Sequence, residues 1–176
     1  MLTLCNFHDF DQVFALMEKS FPEDERRPFA EQRALLNNPV YKIYGLREEQ
    51  SVIAFAAVYQ FDTFTFVEHL AVAPSHRNGG LGALILRELG KISKDRICLE
   101  VEPPETEMAK RRIGFYQRNG FYLCPCPYVQ PAISKGRTPV PLQIMSTGGV
   151  LDEAEFEEIK KVLYKQVYGV GPKNEN

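Results

Sequence analysis

Apolar positions along the chain alternate between two periods. Phe10, Val13, Phe14, Met17 and Phe21 recur every three or four residues, which predicts an amphipathic helix over 9–20 that Phe21-Pro22 ends. Residues 23–37 scatter Phe29, Ala34, Leu35 and Leu36 among charges and predict a second helix, stopped before Pro39. Val40–Leu46 and Val52–Phe61 flank the polar turn Arg47–Ser51 and predict a hairpin, and Thr65–Ala73 adds a third strand ending at Pro74. The helical period returns over Gly80–Ile92, with Leu81, Leu84, Ile85, Leu89 and Ile92 on one face. Ile97–Val101 predicts a short strand, and Glu107–Asn119 a helix with Thr106 as N-cap and Gly120 at its stop. Phe121–Cys124 and Val140–Ser146 predict the last strands. Asp152–Val167 predicts a last helix, capped by Asp152 with Glu155 and buried along Phe156, Ile159, Leu163 and Val167. The order α-α-β-β-β-α-β-α-β-β-α predicts an α/β fold. A mixed, mostly antiparallel sheet of about six or seven strands is flanked by helices in a single domain over 1–176. A C-terminal helix occupies 151–168 and a frayed tail 169–176.

Composition narrows the class. Of 176 residues, 44% are hydrophobic and 25% charged, ordinary globular values. Lys and Arg number 21 against 23 Asp and Glu, a net charge of −2, so no global positive field favours nucleic acid. The longest apolar run, Val52–Tyr59, is far short of the roughly 20 residues a spanning helix needs. Met1–Asn6 has neither a basic nor an apolar signal region. Four cysteines, Cys5, Cys98, Cys124 and Cys126, are too sparse for a disulfide framework, so a reduced, cytoplasmic protein is expected. Cys124-Pro-Cys-Pro lacks the second Cys/His pair a zinc site needs; no metal is expected, and both are read as half-buried strand cysteines.

One stretch carries chemistry. After the strand ending at Pro74 comes Ser75-His76-Arg77-Asn78-Gly79-Gly80-Leu81-Gly82, and then an apolar helix. Such a turn presents free backbone N–H groups at a helix N-terminus, where the macrodipole favours an anion. Glycines allow close approach, and Arg77 adds a permanent cation. The arrangement suits a phosphate or pyrophosphate. It is not a P-loop, because no Gly-Lys-Ser/Thr closes the turn. A bare strand-to-helix connection is the plain alternative.

The spacing Arg77-x-x-Gly80-x-Gly82 after Leu70-Ala71-Val72 resembles the pyrophosphate loop of the GNAT superfamily of acyl-CoA-dependent N-acetyltransferases. Phe115-Tyr116-Gln117-Arg118-Asn119-Gly120-Phe121 is similar to that family's Phe-Tyr-x-x-x-Gly-Phe. The resemblance covers residues 40–125 and the element order of the whole chain. It implies acetyl-CoA as co-substrate. Leu70, Ala71 and Val72 would face pantetheine, and backbone from Arg77, Asn78, Gly79, Gly80, Leu81, Gly82 and Ala83 would hold the pyrophosphate. Asn78-Gly79 stands where many relatives carry another basic residue, and Glu102-Pro103-Pro104-Glu105 where many carry a cofactor-contacting Asn.

Acyl transfer to an amine needs a base, an oxyanion donor and an acid for the departing thiolate. Tyr116 is the expected acid. Glu100, in the apolar strand Cys98–Val101, is the leading base, and Glu68, on the strand before Leu70–Val72, competes with it. Glu102 and His69 are weaker options. Alternation places Glu68, Leu70 and Val72 on one face. The charged stretch Glu23–Arg27 is either a solvated helix start or part of an acceptor pocket. The expected acceptor is a small-molecule or peptide amine, with no nucleic acid or membrane partner. The last helix, with Tyr164 and Tyr168, either packs on the sheet or serves a homodimer contact. Three functions share the loop: an N-acetyltransferase, a non-catalytic acyl-CoA sensor, and a binder of another nucleotide. The first two differ at Tyr116 and the base.

Overall fold

A computed structural model describes residues 1–93 and 95–171; residues 172–176 of the expected tail lie outside the described residues. The strands are β1 (Thr3–Leu4), β2 (Tyr41–Glu48), β3 (Ser51–Gln60), β4 (Phe64–Val72), β5 (Arg96–Val101), β6 (Phe121–Leu123), β7 (Tyr128–Gln130) and β8 (Val140–Thr147). The helices are α1 (Phe10–Ser20), α2 (Phe29–Ala34), α3 (Leu81–Ile92), α4 (Glu107–Arg118) and α5 (Glu153–Val162). The eight strands run β1-β2-β3-β4-β5-β8-β6, with β7 added on β8. Among the described residues only β4 and β5 pair in parallel; the other pairings are antiparallel. The sheet thus exceeds the expected six or seven strands. β1 and β7 are two- and three-residue strands, too short to show a period of their own.

β3 explains the longest apolar run. Phe55, Ala57 and Tyr59 face a core built with α1 and α5, including Phe10, Met17, Tyr41, Phe66, Phe156 and Leu163. Ala54, Ala56 and Val58 face a second core that includes Ile85 and Leu89 of α3 and Ile113 and Tyr116 of α4. A strand covered on both faces reads as continuous rather than alternating apolarity.

Local signals at three helix ends hold. The Thr106 side chain accepts from the Ala109 amide at 3.0 Å, Asp152 and Glu155 form a reciprocal capping box, and Gly120 takes φ 85° after α4. The expected helix over 23–37 is broken instead. A 3-10 turn, Glu23–Glu25, precedes an extended Arg26, α2 starts after Pro28, and a second 3-10 turn, Leu35–Asn37, closes the segment. Pro28 disfavours helix at the residue before it. Cys124 and Cys126 lie in the connection after β6 rather than in a strand, Cys124 fully buried and Cys126 half-buried.

The break buries a charge. Arg27 donates to Glu68 of β4 at 2.7 Å, with side chains 6% and 2% exposed, and donates to the Val167 carbonyl at 2.9 Å. Three segments far apart in the chain thereby meet at one guanidinium. Glu68 is also the extra residue of a β-bulge: Ala57 pairs with His69 and Val58 with Val67, leaving Glu68 between them. The bulge corrects the expected alternation. Glu68 and His69 both turn toward the α1 side, where Arg27 and Phe21 meet them, while Leu70 and Val72 pack on the α3–α4 side.

Burial pushes the Glu68 carboxyl up, but Arg27 and then His69 outweigh it and hold the group far below the usual carboxylate range. A folded-state pKa below the unfolded one stabilises above the unfolded value and loses that contribution as pH falls. Urea unfolding followed by circular dichroism should therefore show stability falling from pH 4.5 toward pH 2. Arg27→Ala should destabilise by about 3–5 kcal/mol, because Glu68 is left buried and unpaired, whereas Arg27→Met with Glu68→Leu should recover most of the loss.

Candidate active site

The parallel ladder between β4 and β5 stops at Val67 opposite Leu99. Beyond it β4 keeps only β3, through Val72 opposite Ala54, while Glu100 and Val101 keep only β8, opposite Ile144 and Gln143. The two strands part, and a cleft of about 330 Å³ opens in the gap, lined on its two sides by Val67–Val72 and Leu99–Glu102. Phe21, Glu25 and Lys19 line it from the α1 side, and Met108, Arg112 and Tyr116 from α4.

A second hollow, about 440 Å³, continues from the same walls. Leu70, Val72, Arg77, Arg112 and Tyr116 line both, and Asn78, Gly80, Leu81 and Gly82 line the second alone. The shared walls set the two hollows side by side between the glycine turn and Glu100. Asn78 and Gly80 have φ of 65° and 76°, and the left-handed Gly80 caps α3. The Leu84 amide is the first to reach back, to the Gly80 carbonyl at 2.9 Å, so the amides of Leu81, Gly82 and Ala83 have no acceptor within the helix. This row of donors, with the helix dipole behind it, matches a diphosphate. Gly82 has a different reason to be glycine: a Cβ there would meet the Phe115 ring at 3.1 Å, so it lets α3 approach α4.

The remaining expected loop residues distribute unevenly. Ala71 lines the cleft; Gly79 lines neither hollow; the Ala83 side chain faces a separate depression with Leu86 and Gly90, leaving only its amide on the loop side. The Arg77 Nε donates to the Val72 carbonyl at 3.1 Å, which ties the turn to the end of β4. Glu102, in the Pro-containing connection, pairs with Arg112 at 3.0 Å.

Glu100 faces the cleft with its carboxyl group buried. Tyr128 donates to its Oε1, and Tyr168 lies 2.8 Å from Oε1 and 2.8 Å from Oε2. Burial pushes the carboxyl up, the two phenols pull it down, and the nearby charges of Glu68 and Glu25 raise it again, with a net rise to about 7. Glu25 is raised by burial and then by Glu102, and its carbonyl faces His69 Nε2 at 2.8 Å. Its turn is further held by Gln130 on the Asp24 carbonyl, by Thr138 on the Asp24 carboxylate and by Arg137 on Glu23. Of the stretch Glu23–Arg27, Glu25 lines the cleft and Arg27 is buried, while Glu23 stays exposed to solvent. Tyr116 is buried against Phe115 and Phe121, and burial pushes its phenol up to about 12. The cleft thus brings Glu100, Tyr116 and Glu68 together, with Glu68 committed to Arg27.

Sequence reasoning did not find Tyr128, which arrives on β7, and left Tyr168 undecided. Tyr168 follows a widened π turn, Leu163–Val167, that extends α5. Tyr164 donates to the Val129 carbonyl at 2.6 Å, so this segment packs on the sheet. Among the described residues no cluster of His, Cys, Asp and Glu suits a metal, and no helix is long and apolar enough to cross a membrane.

A sequence profile described as the acetyltransferase (GNAT) family matches residues 10–121. The chain is 33% identical over 107 residues to a protein named "Putative acetyltransferase YjbC" in Bacillus subtilis (strain 168), covering 60% of this chain and 54% of that protein. It thus spans about half the length of that relative. A solved structure called a "Putative acetyltransferase from GNAT family from Bacteroides thetaiotaomicron" is 35% identical, superposes with a TM-score of 0.86, and is covered over 99% of its length by 97% of this chain. The ribosomal-protein-S18-alanine N-acetyltransferase of Escherichia coli shares the fold, with a TM-score of 0.64 at 16% identity over 86% of this chain and 95% of that one. By profile, by identity over nearly its full length and by sheet topology, the chain belongs to the GNAT family of acetyltransferases.

Proposed function

We propose that the protein is an N-acetyltransferase that moves the acetyl group of acetyl-CoA to a primary amine by direct attack. The observation that carries this reading is a pair of adjoining hollows, sharing five wall residues, that lie between the free amides of α3 and the Glu100 carboxylate, with the Tyr116 phenol on the shared wall. The amides of Leu81, Gly82 and Ala83 would hold the diphosphate, and the parted backbones of Leu70–Val72 and Leu99–Val101 would flank pantetheine. The thioester supplies an activated acyl carbon: a C–N bond forms to the amine, the C–S bond breaks, and the products are an N-acetyl amine and a free thiol.

The chain's own residues manage the protons. An ammonium has no lone pair, so Glu100 takes a proton from the amine, directly or through solvent. A carboxyl near 7 is ionised often enough at neutral pH to accept it and basic enough to matter. Glu68, held ionised by Arg27, is the weaker base. Tyr116 stays protonated across the working range and donates to the departing sulfur. The ammonium loses two protons in all: one passes through Glu100 to bulk solvent to free the lone pair, and the other, shed by nitrogen as the C–N bond forms, replaces through solvent the proton that Tyr116 gives to sulfur, so both side chains end as they began. Glu102 is paired with Arg112 and Glu68 with Arg27, whereas Glu25 and Glu100 form no ion pair among the described residues and favour a cationic acceptor over an anionic one.

Release of free thiol from acetyl-CoA against a panel of amines, polyamines and peptides tests the whole reading; thermal stabilisation by CoA with no thiol release from any acceptor would leave a sensor instead. Glu100→Gln should lower turnover at least about tenfold. In the unmodified protein kcat should rise with pH through about 7, as the Glu100 carboxyl loses its proton. Tyr116→Phe should lower turnover at least about tenfold with CoA affinity unchanged, measured by steady-state kinetics beside calorimetry. Gly80→Asp should abolish CoA binding, because a carboxylate would face the diphosphate, and loss of CoA-induced thermal stabilisation would show it.

A further inference from the structure

Both hydrogen-bond partners of Glu100 come from the part of the chain beyond the family profile. That profile ends at residue 121; Tyr128 stands on β7 and Tyr168 follows the π turn after α5. Tyr128 is brought in by its pairing with Leu142 of β8. Tyr168 is brought in by two ties: its own amide to the Leu163 carbonyl at 3.1 Å, and the Arg27 bond to the Val167 carbonyl at 2.9 Å. The guanidinium that holds Glu68 thus also sets the residue next to Tyr168.

We propose that Tyr128 and Tyr168 are positioning residues that clamp Glu100 as a carboxylate and leave its Oε2 as the proton-accepting atom. This rests on the reading of Glu100 as base. Oε1 lies within hydrogen-bond reach of both phenols, whereas Oε2 is reached by Tyr168 alone. A carboxylate oxygen has room for about two donors, and the single Tyr168 O–H is shared between the two oxygens, so Oε1, which Tyr128 also reaches, is the more occupied and Oε2 always keeps an open lone pair.

Among the described residues no other side chain is hydrogen-bonded to the Glu100 carboxyl. Glu25 of the 3-10 turn and Glu68 of β4 oppose its charge. Lys19 at the end of α1, His69 of β4, Arg77 after β4, Glu102 after β5, and Arg112 and Tyr116 of α4 also line the cleft. Of the cations, Arg27 is taken by Glu68 and Arg112 by Glu102, and among the described residues none is hydrogen-bonded to Glu100. Hydrogen bonds to an ionised acceptor are the strong kind, and here the two phenols provide them. Burial raises both phenols, Tyr168 well above its ordinary value, so they stay donors wherever Glu100 is ionised.

The test is the ionisation of Glu100 read directly, by a carboxyl-13C NMR titration of labelled protein with the Glu100 signal assigned through Glu100→Gln, beside the pH profile of kcat. Tyr168→Phe keeps the ring and removes the donor. It should move the Glu100 midpoint and the acid limb of kcat upward together by about one pH unit, lowering turnover about tenfold at pH 6 with less than about twofold change at pH 9. Tyr128→Phe should do the same, and carries the test if Tyr168→Phe fails to fold. Tyr164→Phe, which loses a bond to the Val129 carbonyl on the same turn, should move neither. A Glu100 midpoint unmoved by Tyr168→Phe and Tyr128→Phe, or moved equally by Tyr164→Phe, overturns the clamp. A shifted midpoint with an unshifted kcat profile overturns Glu100 as the base, and with it any catalytic meaning of the clamp.

Discussion

The bulge at Glu68 and the arginine that faces it organise the structure around the cleft. One extra residue in β4 turns Glu68 and His69 to the same side and leaves Leu70 and Val72 facing the other. A buried carboxylate there is costly without a partner, and Arg27 supplies one from an extended segment between two helical pieces. The remaining reach of the same guanidinium pins Val167. The β4–β5 ladder ends at Val67, immediately before the bulge, so the charge pair sits at the fork where the cleft begins.

That fork separates two glutamates of similar depth into different chemical states. Glu68 meets a guanidinium and is held ionised; Glu100 is hydrogen-bonded to two phenols, stands near two further carboxylates, and is pushed up to about 7. The difference comes from partners rather than burial, since burial raises both. In the proposed reaction this divides the labour: one carboxylate braces the fold while the other is free to exchange a proton. The glycine turn is likewise split. Gly80 serves a left-handed backbone at the start of α3, and Gly82 serves the contact with Phe115.

Much of this was legible in the residues. The doubly covered β3 appeared as the run Val52–Tyr59, the caps at Thr106 and Asp152 appeared as side chains three residues from their targets, and the stripe Phe156, Ile159, Leu163 and Val167 is buried as its spacing implied. The loop and Phe115–Phe121 pointed to the family that the profile supports. Local reading failed where a single residue changes phase. Alternation along β4 is blind to a bulge, the helical period over 23–37 is blind to the break at Pro28, and β7 is too short to carry a period.

The sequence by itself determined what depends on neighbours a few residues apart: element type, caps, the anion-ready turn at α3, and the two-sided burial of the central strand. Only the tertiary structure decided which carboxylate meets a cation and which meets a phenol. Those pairings join Arg27 to Glu68 and Val167, and Glu100 to Tyr128 and Tyr168, across separations of 41, 140, 28 and 68 residues. No local periodicity spans such distances, and the protonation state of a buried group is set by whichever side chains the fold brings within reach of it.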